Sequence, residues 1–250
     1  MRLTATKALS ILIMASFFIV GHALAEPELQ RVTADQAFDA VQTQTDPTTK
    51  EPKKVMLVDV RTRAEFFWVG TPCKVNAITV DDETTILPDL GKARLVGNGR
   101  MILFKRDGQP RLLPVCQIKS VDLAPIAVNI PYMLWDEETA SMALNEEFSK
   151  AVEALALEQG VQVVIFFCRS GGRSKACLAG FDRTLFDAIY EIDQPNQANG
   201  YGGFEGTSYS NVFLGYRGFP GRHTQSQQNP SVSWTDASLP IKTGVNPFGQ

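Results

Sequence analysis

Residues 161–174 read Val161-Gln162-Val163-Val164-Ile165-Phe166-Phe167-Cys168-Arg169-Ser170-Gly171-Gly172-Arg173-Ser174. Val161–Phe167 is apolar except at Gln162, and it is rich in β-branched and aromatic side chains. Such a run reads as a strand buried on both faces, the condition of strands in a parallel sheet. Glycines and charges end it. A helical pattern then extends through about Phe186, and Ala188–Ile192 reads as another short strand. The strand–helix–strand order predicts an α/β domain around a parallel sheet.

Working outward, Asn145–Gly160 has the spacing of an amphipathic helix. Phe148, Val152 and Leu155 share one face and Gly160 is the stop. Val55–Val60 is a second continuous apolar run that suits a buried strand. Thr33-Ala34-Asp35-Gln36 is a capping-box pattern opening a short helix through Ala37, Phe38 and Val41. Residues 43–54 are polar and interrupted by proline, and read as a loop. Residues 73–124 have a different texture, with β-like runs at Met101–Phe104 and Leu112–Val115 on either side of the hairpin signal Asp107-Gly108. From Gln194 on the chain is rich in Gly, Pro, Ser and Asn, and no internal repeat is visible.

The first 25 residues read as a secretory signal peptide. Arg2 and Lys7 precede the apolar stretch 8–20, and Ala23-Leu24-Ala25 supplies the small residues of a cleavage site. The apolar stretch is shorter than the roughly 20 residues that span a bilayer, so no stable membrane anchor is expected. The expected location is periplasmic or secreted, an oxidising compartment for cysteine. The chain has 250 residues, 24 Lys+Arg, 27 Asp+Glu and a net charge of -3. Without Arg2, Lys7 and His22 it carries 22 basic against 27 acidic residues, a net -5, and one histidine, His223. This balance lacks the basic footprint of a nucleic-acid binder. One histidine is little material for a histidine-based catalytic centre. His223, between Arg222 and Thr224, reads as solvated. The sequence holds no metal-ligand cluster, haem-attachment motif, P-loop or dinucleotide fingerprint, so no cofactor and no metal are expected.

Cys168-Arg169-Ser170-Gly171-Gly172-Arg173-Ser174 sits between a buried strand and a helix start, the end of an α/β sheet where ligand sites form. Successive backbone N–H groups in such a turn form an anion nest. The helix N-terminus adds partial positive charge, and Arg169 and Arg173 add full charges. Each favours the anionic form of the Cys168 sulfur. Gly171 and Gly172 are expected to permit a backbone that a side chain would block. The chemistry indicated is a cysteine nucleophile adapted to anionic substrates. The bland alternative is a cysteine that merely ends a strand, followed by two solvated arginines.

The loop resembles the active-site loop of the rhodanese (sulfurtransferase) superfamily, and further segments match in order. Val58-Asp59-Val60-Arg61 with Glu65-Phe66 and Gly70 resembles the family's first strand and turn. Ala127-Val128-Asn129-Ile130-Pro131 resembles its second strand. Ile189–Ile192 and Gly202–Gly206 resemble the strand and glycine turn after the loop, and Trp234, Ala237 and Leu239-Pro240 the closing helix and tail. The similarity covers about residues 30–242, followed by a tail, 243–250. It implies a five-stranded parallel sheet flanked by helices. It also implies sulfane-sulfur transfer: Cys168 attacks the outer sulfur of thiosulfate or a similar anion, carries it as a persulfide and passes it to cyanide or a thiol. In that scheme Arg169, Ser170, Gly171, Gly172 and Arg173 hold the donor, while Asp59 and Arg61 orient the loop, with a structural role equally open to them. Related phosphatases use five residues between Cys and Arg, whereas Cys168 and Arg173 have four between them, which argues against phosphatase chemistry.

The sequence departs from the family at Gly70-Thr71-Pro72, where Gly-His-Ile is usual, and by insertions at about 73–124 and 207–232. These keep open a second possibility, a non-catalytic module that holds an anion or a thiol within a periplasmic redox assembly. Cys73 and Cys116 are expected to bridge in the first insertion, the alternative being two free thiols. Cys177 is expected to pack the helix after the loop, the alternative being a thiol that resolves a Cys168 persulfide or sulfenate. The aromatics Tyr201, Phe204, Tyr209, Phe213, Tyr216 and Phe219 are expected to pack an irregular excursion.

Overall fold

The computed structural model describes residues 27–81, 84–86, 93–96, 101–106, 109–168, 172–178, 180–192 and 239–242. The expected signal peptide, Arg169, Ser170, Gly171, the second insertion, Gly202–Gly206, Trp234, Ala237, His223 and the tail aromatics lie outside them.

The described chain begins with β1 (Leu29–Val32) and α1 (Ala34–Thr43). The capping box is present: Gln36 N donates to Thr33 Oγ1 at 3.1 Å and Thr33 N donates to Gln36 Oε1 at 2.8 Å. β2 (Val55–Asp59) follows, and a single π-helical turn spans Glu65–Val69. The first insertion then contributes β3 (Thr71–Asp81), β4 (Thr84–Ile86), β5 (Arg94–Val96), β6 (Met101–Arg106), β7 (Gln109–Pro114) and β8 (Ser120–Pro125). β9 (Ala127–Asn129) leads to a hairpin of β10 (Met133–Asp136) and β11 (Ser141–Leu144). α2 (Phe148–Gln159), β12 (Val163–Phe167), α3 (Gly172–Ala176), β13 (Ala188–Ile192) and β14 (Ile241–Lys242) complete the order.

The central sheet has five strands in the order β1-β13-β12-β2-β9, and every pairing in it is parallel. The protein is therefore an α/β fold around a parallel sheet, as the apolar runs implied, and that sheet has five strands. Strand alternation divides its core into two layers. Val163, Ile165 and Phe167 pack with Leu57, Tyr190, Ile192 and Phe38 on the α1 side. Val164, Phe166 and Cys168 pack with Met56, Val58, Ile189 and Val152 on the α2 side. Every residue of β2, β12 and β13 is buried, and each large apolar side chain there contributes roughly 1.5–3 kcal/mol by burial.

The insertion is β-rich, as expected. β3 pairs antiparallel with β8, and β6 pairs with β7, with Arg106 opposite Gln109 across the Asp107-Gly108 signal. Val75, Ile78, Ala93, Ile102 and Phe104 form a separate small core there. β14 pairs antiparallel with β3, and Leu239 just before it is buried in the α1 layer.

Two expectations are corrected. The helix after the loop does not run to Phe186. α3 has five residues; Gly180 then adopts a left-handed φ of 76°, and Asp182 accepts from Thr184 N at 3.0 Å to open a short 3-10 turn. Local side-chain capping competes with helix propagation there. The Cys73–Cys116 bridge is also absent, and both cysteines are free thiols. Cys73 lies opposite Pro125 at one end of the β3–β8 ladder, while Cys116 lies beyond the Thr79–Ser120 end. Six residues of strand separate those ends by about 20 Å at ~3.3 Å per residue. A disulfide needs Cα atoms within about 7 Å.

Candidate functional site

Cys168 directly follows β12, so the central strand delivers its sulfur to the carboxyl end of the sheet. The side chain is 1% exposed and belongs to the α2-side layer. Its Sγ lies 3.6 Å from Ser174 Oγ on α3. Beneath it, Tyr132, Phe148, Phe166, Phe181 and Phe186 form a run of ring contacts with centroid separations from 5.2 to 6.3 Å.

Arg173 has both terminal nitrogens on Glu65. Nη1 reaches Oε2 at 2.6 Å and Nη2 reaches Oε1 at 2.7 Å. Thr62 N and Oγ1 also donate to Glu65 Oε2, each at 2.9 Å. Burial alone would raise the Glu65 carboxyl, but Arg173 and Thr62 outweigh it and hold it at about 2. Burial works against the Arg173 charge too, and Glu65 more than restores it, so its proton affinity rises. Arg173, expected to grip the donor anion, is thus clamped to the turn after β2. Its contribution to the site is positive charge near the sulfur and a fixed α3.

Asp59 and Arg61 are both fully buried. Arg61 Nε donates to Asp59 Oδ1 at 2.9 Å and Nη2 to Oδ2 at 2.6 Å, while Nη2 also donates to the Gly70 carbonyl at 2.6 Å. The guanidinium stacks 5.5 Å from the Phe167 ring centroid. Burial raises the Asp59 carboxyl against the pull of Arg61. Asn129 Nδ2 donates to the carbonyls of Asp59 and Arg61 at 3.0 and 3.1 Å. This group ties the ends of β2, β9 and β12 together one residue before Cys168.

Gly172 behaves differently from expectation. A Cβ there would meet nothing within 4 Å, and its backbone is not left-handed. Cys177 is buried, with Sγ donating to the Ser174 carbonyl at 3.0 Å, and burial pushes its thiol well up. That environment fits packing and disfavours the thiolate. Cys73 is likewise buried, pushed up to about 12.

Glu65, Asn129, Ser174 and Glu191 fall within the motif segments but carry no expected role there, and Arg31 lies outside those motifs. Glu191 carries the clearest signal, a carboxylate inside the apolar strand Ala188–Ile192. It is 5% exposed, and burial raises its proton affinity against the opposing pull of Arg31, Lys175 and Ser174. A cleft of about 810 Å³ lies beside β2 and β9, lined by Val41, Val55, Leu57, Ile126, Val128 and Leu155 among others. Among the described residues no group of His, Cys, Asp and Glu is placed to hold a metal, and no helix is long and apolar enough to cross a membrane. Comparison with family models, curated proteins and solved structures gives no match.

Proposed function

We propose that the protein is an exported sulfurtransferase of the rhodanese type with Cys168 as its nucleophile. The observation that carries this reading is the position of Cys168. Its sulfur stands at the carboxyl end of the central parallel strand, immediately before a short Gly- and Arg-containing loop and α3. Thiolate attack on the outer sulfur of a thiosulfate-like anion breaks the S–S bond and releases sulfite. The Cys168 persulfide then gives its outer sulfur to cyanide or a thiol, and the thiolate returns. Arg169, Ser170, Gly171 and Gly172 bind the donor, with Arg173 adding charge from its clamp on Glu65.

The test is intact-protein mass spectrometry after incubation with thiosulfate. Wild type is expected to gain the mass of one sulfur atom, and Cys168→Ser to gain nothing. An unmodified wild type that also makes no thiocyanate from cyanide overturns the reading. A second reading, a non-catalytic module holding an anion or a partner's thiol, is favoured by the burial of Cys168, which is 1% exposed. It predicts that unmodified outcome together with saturable thiosulfate binding.

A further inference from the structure

A line of buried polar groups runs behind the Cys168 sulfur. Ser174 on α3 is 1% exposed, and its Oγ is 3.6 Å from Cys168 Sγ. The same hydroxyl donates to Glu191 Oε2 in β13 at 3.5 Å. Glu191 Oε1 in turn receives Arg31 Nε of β1 at 3.2 Å. Strand alternation sets this up: Tyr190 and Ile192 face α1, so Ile189 and Glu191 face the layer that holds Cys168. A carboxylate buried in an apolar strand is costly unless partnered, and its partners here lead to the sulfur.

A serine hydroxyl has one proton to donate. When Ser174 donates it to an ionised Glu191, the Cys168–Ser174 contact needs its proton from the thiol. When Ser174 donates to a Cys168 thiolate, Glu191 Oε2 loses that donor, and a proton on Oε2 restores the contact with the Ser174 oxygen. The sulfur and the carboxylate therefore compete for one hydroxyl in a buried space that tolerates one negative charge better than two.

We propose that Glu191 is the proton acceptor of Cys168, reached through Ser174. The thiol proton passes to the Ser174 oxygen as the Ser174 hydroxyl proton passes to Glu191 Oε2. The products are a thiolate, a serine and a carboxylic acid. The net charge is unchanged and no further reactant is needed. Arg31 of β1 and Lys175 of α3 also face the carboxylate and oppose protonation, while burial favours it. Among the described residues, Arg173 and Cys177 also interact with the sulfur. The proposal rests on the sulfurtransferase reading for the use made of the thiolate.

The test is the pH dependence of Cys168 alkylation by iodoacetamide, read by mass on the Cys168 peptide in a Cys116→Ser background. The proposed relay has Cys168 and Glu191 sharing one proton as a pair. Under the relay the wild-type rate is expected to rise in two steps, with a plateau between them where the two groups share one proton. Glu191→Gln keeps the shape but takes no proton. It is expected to lose the plateau, its rate rising about tenfold per pH unit to a single thiol ionisation. Arg31 is 45% exposed, so Arg31→Gln is accommodated, and it is expected to move the first rise to higher pH. Superimposable profiles for wild type and Glu191→Gln, or an unmoved first rise in Arg31→Gln, overturn the proposal. Sulfur loading without the plateau refutes the relay alone; the plateau without sulfur loading refutes the sulfurtransferase reading alone.

Discussion

At the scale of single residues, the Glu65–Arg173 pair makes the site sensitive to acid. A carboxylate held at about 2 and released in the unfolded chain contributes stability above its ordinary value near 4.5. That contribution, on the order of 3 kcal/mol, fades as pH falls from about 4.5 to about 2. Glu65→Gln is expected to lose most of it at pH 7 and to flatten the acid limb, measured by urea unfolding across pH. Asp59 and Arg61 differ because both are fully buried. Arg61→Met strands a buried carboxylate and is expected to cost about 3–5 kcal/mol. Asp59→Leu with Arg61→Met removes both charges and is expected to recover most of that loss. If the pair only ties strand ends together, the double variant still loads sulfur. The thiols separate in the same way: Cys116 is exposed and is expected to alkylate first in the native protein, while Cys73 and Cys177 wait for unfolding.

At the scale of elements, α2 ends at Gly160 with φ 65°, and a Cβ there would meet nothing within 4 Å. The cost of Gly160→Ala is therefore the left-handed backbone alone, about 1–2 kcal/mol in urea unfolding. Gly172 opens α3 outside the left-handed region with open space around it, so Gly172→Ala is expected to be neutral or stabilising by up to about 1 kcal/mol. Elements with a local cause were legible in the sequence. Thr33 and Gln36 cap α1, Gly160 stops α2, and apolar runs mark β2, β12 and β13, the last broken only by Glu191. The length of α3 was not, because Asp182 binding Thr184 and the turn at Gly180 are choices among local hydrogen bonds that apolar spacing does not record. In the site, Cys168 was legible from its place between strand and loop. The engagement of Arg173 by Glu65 was not, since the partners are 108 residues apart and meet only once β2 and β12 lie side by side. The Cys73–Cys116 bridge failed for the matching reason: spacing in sequence does not say at which end of a ladder a cysteine sits.

At the scale of the whole molecule, the insertion β3–β8 has its own small core around Ile78, Ile102 and Phe104, apart from the two layers of the parallel sheet. Phe104→Ala is expected to raise amide exchange in β6 and β7 while leaving β12 protected and Cys168 alkylation unchanged. Exchange lost equally across β12 would show instead that the two cores unfold as one. The sheet order also constrains how the chain is completed. β1 pairs with β13, Leu29 opposite Ile189, and β13 alone joins β1 to the rest of the sheet. A chain emerging from the ribosome amino end first thus makes β1 and α1 long before their seat exists. The sheet cannot close until residue 192 is out, and Leu239 caps the α1 layer later still. Pairings this distant in sequence form slowly, so the nascent protein passes through a long unsealed interval in which its earliest strand must be kept from the wrong partners.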